Sequence, residues 1–281
     1  MKYITGIVFL FFILTGCSDE RTLQVDARRL QIDTSMQHAV SVFKGVWVLT
    51  EYIYQIKKTK SPLKSADVLT GIVTMIIDPD EIESDSFVVS ASLNNHEGYS
   101  FTVYASNTRN KSNLKTNLID YKNETSFYEL GSEVIDKETV LFLYHYTQSH
   151  TLIDKQQFTK VSEQQQTNDV AWGIEKVINE NLFAGRYLLI DTLNKETEIN
   201  LNTDGSLTGF SNAENYYVFT DFMGGPETDL DGMCFNHGTK NTKCYAFKFK
   251  TDTLYLYTTK GDVQDGEQEL LDKIQYKLIR K

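Results

Sequence analysis

Proline is scarce in this chain, with three among 281 residues, and cysteine is no commoner. Three cysteines cannot build the disulfide framework that stands in for a core in small secreted domains, so the chain must bury apolar side chains of its own. Positive charge is the other deficit. Lys and Arg number 28 against 38 Asp and Glu, a net charge of −10. Nucleic acid is not expected as a partner, because that binding rests on neutralising phosphates with Lys and Arg. The one long apolar stretch, Ile4 to Leu14, falls short of the about 20 residues that span a hydrocarbon core. No nucleophile elbow, phosphate loop or HExxH occurs, so no catalytic residue is assigned and the chain is not read as an enzyme.

What is present begins with Lys2, the apolar stretch, and then Leu14-Thr15-Gly16-Cys17. A short positive start, an apolar run and small residues have the layout of a secretory signal over residues 1–16. Leu14-Thr15-Gly16-Cys17 resembles the lipobox of bacterial lipoproteins at every position. That resemblance implies cleavage before Cys17, diacylglycerol on its thiol and acylation of the new amine. Several acyl chains hold a protein on a bilayer where one binds only marginally. Ser18 after the cysteine points to the outer membrane, on its periplasmic face or at the cell surface. Residues 17–37 are mostly polar and read as the tether.

Cys234 and Cys244 remain, flanking the turn-like FNHGTKNTK. A disulfide is expected between them in an exported protein. The alternative is a metal site that uses the Cys234-Phe-Asn-His237 spacing, which lacks a nearby fourth ligand.

The chain also repeats itself. Val42-Phe43-Lys44-Gly45-Val46-Trp47-Val48-Leu49 parallels Leu182-Phe183-Ala184-Gly185-Arg186-Tyr187-Leu188-Leu189. Val140–Tyr144 parallels Thr253–Tyr257, and Asp154–Phe158 parallels Asp272–Tyr276. Three matches in one order indicate a duplication. The polar stretch Ser162–Asp169 reads as a linker, and Val170, Ala171, Ile174, Val177 and Ile178 fall at helical spacing. Met36, Ala39, Val40 and Phe43 do the same ahead of the first copy. The expected division is residues 38–161 for the first domain, 162–180 for linker and helix, and 181–281 for the second.

Within each copy the period is two. Phe87, Val89, Ala91 and Leu93 alternate with polar or smaller residues, Asn94–Gly98 turns, and Tyr99, Phe101 and Val103 return. Tyr245, Phe247 and Phe249 alternate with Ala246, Lys248 and Lys250, and Ile274, Tyr276 and Leu278 close the chain. Such segments are antiparallel hairpins with one face buried, and about 100–120 residues of them commonly close into a barrel, which removes exposed edges. The expected fold is all-β, mainly antiparallel, with two tandem small barrels each preceded by a short helix. Gly45-Val46-Trp47 resembles the Gly-x-Trp signature of lipocalin-like (calycin) barrels, from which Gly185-Arg186-Tyr187 departs by its Tyr. The resemblance implies that Trp47 closes a barrel floor and touches no ligand. META-type heat-shock lipoprotein domains and small periplasmic lysozyme inhibitors share the same outline.

Three constellations are candidates for binding. Glu227, Asp229 and Asp231 before Gly232 imitate half of an EF-hand loop, without the bidentate Glu at its twelfth position. They define a weak calcium site, the one cofactor considered, against the commoner solvated loop. Tyr217, Phe219, Phe222, Tyr245 and Phe247 either fill a core or stack on an apolar or sugar-like ligand. His145 and His150 flank a tight segment and either share a metal or stay solvated. Together these features point to a lipid-anchored, non-enzymatic binding or interaction protein of the cell envelope. The alternatives are a carrier or sensor of a small hydrophobic ligand, of lipocalin type, and an envelope inhibitor or assembly accessory acting through the region Met223–Cys244.

Overall fold

Strand β1 (Gly45–Leu49) is buried on both faces, and what covers its outer face explains the architecture. The computed structural model describes residues 40–78, 85–105, 113–164, 169–222, 230–261 and 269–281. The expected signal, Cys17 and the expected tether lie outside these residues, as do Met36 and Ala39. Residues 40–43 form a helical turn ahead of β1.

The first unit is a closed barrel whose strands follow chain order: β1, β2 (Ile72–Ile77), β3 (Ser86–Leu93), β4 (Glu97–Tyr104), β5 (Leu114–Thr116), β6 (Phe127–Ile135), β7 (Glu138–Tyr146) and β8 (Leu152–Ser162). Its pairs are antiparallel, and β8 returns to β1. The expected alternation holds in β3, where Phe87, Val89 and Ala91 are buried. The turn into β4 places Asn94 and Asn95 at φ 53° and 55°, a conformation that Asn tolerates and that matches the twist of the flanking strands.

The second unit is an eight-stranded antiparallel sheet, β9 (Gly185–Asp191), β10 (Glu196–Leu201), β11 (Leu207–Thr208), β12 (Tyr216–Val218), β13 (Gly232–Phe235), β14 (Lys243–Lys250), β15 (Thr253–Lys260) and β16 (Leu270–Arg280). Its order is β11-β10-β9-β16-β15-β14-β13-β12. The edge strands β11 and β12 meet through one bridge, Ser206 to Asn215, rather than a ladder. One expectation fails in β16. Opposite the step from Leu256 to Tyr257, β16 carries an extra residue, Gln275, which leaves Tyr276 and Leu278 inward and turns Ile274 out, 40% exposed, because a bulge reverses which face each residue serves.

The two repeat starts superimpose in their chemistry. Trp47 Nε1 donates to Phe43 O at 2.6 Å, and Tyr187 OH donates to Phe183 O at 2.7 Å. Each ring also carries a cation from its unit's last strand, Lys160 Nζ at 5.0 Å and the Arg280 guanidinium at 5.2 Å. Both rings are buried, so each polar atom needs its partner.

Helices join the two units. α1 (Thr50–Thr59) and the one-turn α2 (Pro62–Ser65) are inserted between β1 and β2, and sequence periodicity did not reveal them. α3 (Trp172–Ile178) and the π turn Asn179–Phe183 precede β9. α3 does not merely lead into the second unit. A Cβ on Gly173 would lie about 3.0–3.1 Å from Val46, Val48 and Thr74 side-chain atoms, so glycine lets α3 lie flat on the outer face of the first barrel. The π turn in turn touches α1. A single cluster of buried residues consequently runs from Val40 to Leu278 through both units.

Cys234 and Cys244 are directly paired across β13 and β14 and joined by a disulfide. Among the described residues no group of three or more His, Cys, Asp or Glu is placed to hold a metal. The Cys234–His237 metal alternative therefore gives way to the disulfide, and His237 instead stacks on Tyr217 at 4.4 Å. Cys234→Ser with Cys244→Ser should lower stability by about 2–3 kcal/mol, the value for closing so short a loop. Urea titration of the double variant checks it, and an unchanged midpoint would rule out that contribution.

Candidate functional site

Two clefts of a few hundred cubic ångströms lie outside the barrel of the first unit and the sheet of the second. One, about 450 Å³, runs beside the β6–β7 turn and the end of β8, between Asp136, Glu138, Gln157 and Glu163. The other, about 390 Å³, opens where α1 and α2 of the first unit meet β14 of the second. The second is the better candidate, because pockets at domain boundaries are a common site of ligand binding and its side chains are chemically distinctive.

It is built as follows. α1 ends in Lys57 and Lys58, which suit the negative end of its dipole. Lys60 then takes a left-handed turn at φ 54°. Ser61 caps α2 by accepting from Lys64 N at 3.1 Å, and Pro62 occupies the first helical position, where it costs no hydrogen bond. From the second unit Asp231 Oδ1 accepts from Leu63 N at 2.9 Å. Burial pushes the Asp231 carboxyl up, against the opposing pull of the Ser61 hydroxyl, the Leu63 N–H and the charges of Lys64 and Lys248. Behind it stands Tyr52, fully buried, whose hydroxyl has no hydrogen-bond partner among the described residues. Burial, and then the neighbouring Asp231, hold that phenol in its neutral form. Lys58, Lys60, Lys64 and Lys248 line the opening, with Leu63, Leu230 and Phe249 as its apolar wall.

A second contact ties the units nearby. Asn95 Nδ2 donates to Thr220 O at 2.9 Å, and His96 Nδ1 meets Asp221 Oδ2 at 2.7 Å. The hydrogen bond to Asp221, and then its charge, raise the His96 pKa. A raised folded-state value means that the ion pair favours the folded arrangement fully below about pH 6.5, and that this contribution fades as pH rises through the raised value. His96 should therefore titrate above about 6.5 by NMR and fall back toward it in Asp221→Asn. Equal titration in both proteins would mean that the pair does not form.

The sequence candidates are distributed rather than assembled. Glu227 and Asp229 lie outside the described residues, as does Met223. Asp231 is described, and it serves the inter-unit contact with Leu63. The five aromatics separate into groups. Tyr217 packs edge-on against Phe219, whose ring lies over Gly232. Tyr245 joins Phe210, Phe235 and Tyr276 inside the sheet, and burial together with Tyr276 pushes its hydroxyl up to about 12. Phe247 is buried against Phe183 and Phe249, at the base of the cationic cleft. Phe222 is half-buried. They form no common stacking platform.

His145 and His150 do not share a ligand position, and His145 is not solvated. It is buried against Tyr128, with Nε2 at 2.8 Å from Ser126 Oγ and Nδ1 at 3.3 Å from Asp154 Oδ2, while His150 sits edge-on to Phe127. Ser126, His145 and Asp154 stand in the order of a hydrolytic triad, a set recognised by geometry and not by position in the chain. Two features direct it to another task. Ser126 is itself buried, and its Oγ donates to Asn123 O at 2.8 Å within its own turn. With Asp120 Oδ2 also 3.5 Å from His145 Nε2, the imidazole pins the loop between β5 and β6 onto the barrel.

Sequence reasoning missed the lysines of the cleft. The signal existed, since Lys57-Lys58-Thr59-Lys60-Ser61-Pro62-Leu63-Lys64 concentrates positive charge in an acidic chain. No family model matches this chain, and no curated protein or solved structure is significantly similar to it.

Proposed function

We propose that this chain is a lipid-anchored, non-enzymatic binding protein of the bacterial cell envelope, built from two tandem lipocalin-like domains and held at the outer membrane through Cys17. The tandem reading draws on the paired Trp47 and Tyr187 contacts and on strands that follow chain order around both units. The anchor reading draws on Leu14-Thr15-Gly16-Cys17 alone.

The observation that carries a binding role outside the barrels is how the interiors are occupied. Trp47, Phe87, Phe101 and Phe158 are fully buried in the first unit, and Tyr187, Phe183 and Phe247 in the second. Small barrels filled by side chains leave no room for a guest, whereas the two clefts lie on the exterior. Recognition then falls to the outer surface, including the boundary between the units and the turn after Phe235. Fractionation of cells carrying Cys17→Ala tests the anchor. The variant should leave the membrane fraction, and a variant that stays fully membrane-bound would overturn it. Crosslinking in intact cells tests the interaction role, with a discrete envelope partner as the expected product.

The carrier alternative keeps one supporting observation. Phe210, Tyr245 and Tyr276 are only partly buried around Phe235 at one end of the second sheet. A stoichiometric apolar molecule leaving the folded protein on solvent extraction, weighed by native mass spectrometry, would favour that reading.

A further inference from the structure

Lysines from both units converge on one opening in a chain whose net charge is −10. Lys58 and Lys60 leave the end of α1, Lys64 lies in α2, and Lys248 projects from β14. None of the four lies within 4 Å of a carboxylate among the described residues. Among the described residues Asp231 is the one acid lining the cleft, and its carboxylate already accepts from Leu63 N. The charges of Lys64 and Lys248 reach Asp231, Lys58 Nζ lies 5.7 Å from the Tyr54 ring, and the four lining lysines outnumber the one described carboxylate, which leaves the opening net positive. A helix dipole accounts for Lys58, but not for Lys248, which reaches the same place from the other unit. Beside the charges stand Leu63, Leu230 and the half-buried Phe249, an apolar wall at the mouth. About 390 Å³ is within the range of small-molecule sites.

We propose that this inter-unit cleft binds a phosphate group carried on an apolar body, with the phosphate held by Lys58, Lys60, Lys64 and Lys248 and the body against Leu63, Leu230 and Phe249. Lysine is a mobile point charge with three donors and suits a multiply charged anion approached from several sides. The hydrogen bond from Leu63 N to Asp231 ties the two units together beside the bound anion. The inference deepens the binding-protein reading and is independent of the lipid anchor.

The test uses the purified full chain and isothermal titration with dihexanoylphosphatidate below its micelle concentration. The expected result is one site per chain, weakened at least tenfold by Lys64→Glu and again by Lys248→Glu, one charge reversal in each unit. Both lysines are exposed but their charges also act on Asp231, so Lys64→Gln and Lys248→Gln accompany the reversals and should weaken binding in the same order, with circular dichroism showing each variant folded. Inorganic phosphate should bind more weakly than the amphiphile. Equal affinity for the two would overturn the apolar half of the proposal, and no binding of either, or binding unchanged in both variants, would overturn it altogether. Vesicles containing phosphatidate separate the sources. Retention on these vesicles, with none on phosphatidylcholine, identifies a lipid headgroup, whereas binding confined to the soluble probe identifies a free phosphorylated compound. The envelope reading does not fall with a failed titration, because Cys17 fractionation and crosslinking test it separately.

Discussion

Trp47→Ala should lower the stability of the whole chain by about 3–5 kcal/mol, the range for removing a large buried aromatic. The side chain is fully buried in the first barrel, its Nε1 donates to Phe43 O, and Lys160 covers its ring. Truncation leaves a cavity, an orphaned carbonyl and a lysine without its ring. Trp47→Phe keeps most of the bulk and should cost less, with about 1 kcal/mol of it from the lost hydrogen bond. Tyr187→Ala should produce a loss of the same class in the second unit, since Phe183 O and Arg280 depend on Tyr187 in the same way. Urea unfolding followed by circular dichroism would show one transition moving in each variant. A second transition, displaced in only one of them, would mean that the shared cluster does not couple the units.

The second large effect concerns the glycines that open the repeats. Gly45 has φ 124° and Gly185 φ 147°, both in the region that favours glycine. A Cβ at Gly45 would also collide with the Ser162 backbone carbonyl, whereas at Gly185 the nearest atom is on the flexible Arg280 side chain at 3.5 Å. Gly45→Ala therefore combines backbone strain with a clash against the strand that closes the barrel, and should lose about 3–5 kcal/mol. Gly185→Ala carries the strain alone and should lose about 1–3 kcal/mol. Thermal melts of the two variants decide it, and equal losses would show that the carbonyl at Ser162 moves aside.

Much of the strand content was legible because period-two burial is local. Phe87, Val89 and Ala91 face inward because their alternation allows nothing else. Ile274 reads as inward on the same grounds and is not, since a bulge depends on how β15 pairs with β16 and leaves no mark on either segment alone. α1 and α2 were accessible in principle. Tyr52 and Ile56 are four apart on the buried face of α1, and Ser61-Pro62 is a helix-start signal. The cleft is legible only in fragments. Residue pattern points Asp231 toward calcium and Phe247 toward an aromatic ligand, and it does not connect either with the lysines around them. What joins Lys58 to Lys248 is the docking of one unit on the other, and no spacing in the sequence encodes that approach.

Consider the order in which this chain is made. α3 supplies the outer cover of β1 and β2, yet it follows all eight strands of the barrel it covers. A nascent chain that ends at Ser162 carries every strand of the first barrel and still presents Val46 and Val48 to water. A shortened gene that stops in the polar stretch after β8 would make the exposure permanent, and its product would be expected to self-associate. The polar stretch at 162–169, where a cut between the two copies looks natural, is therefore a poor place to divide the protein.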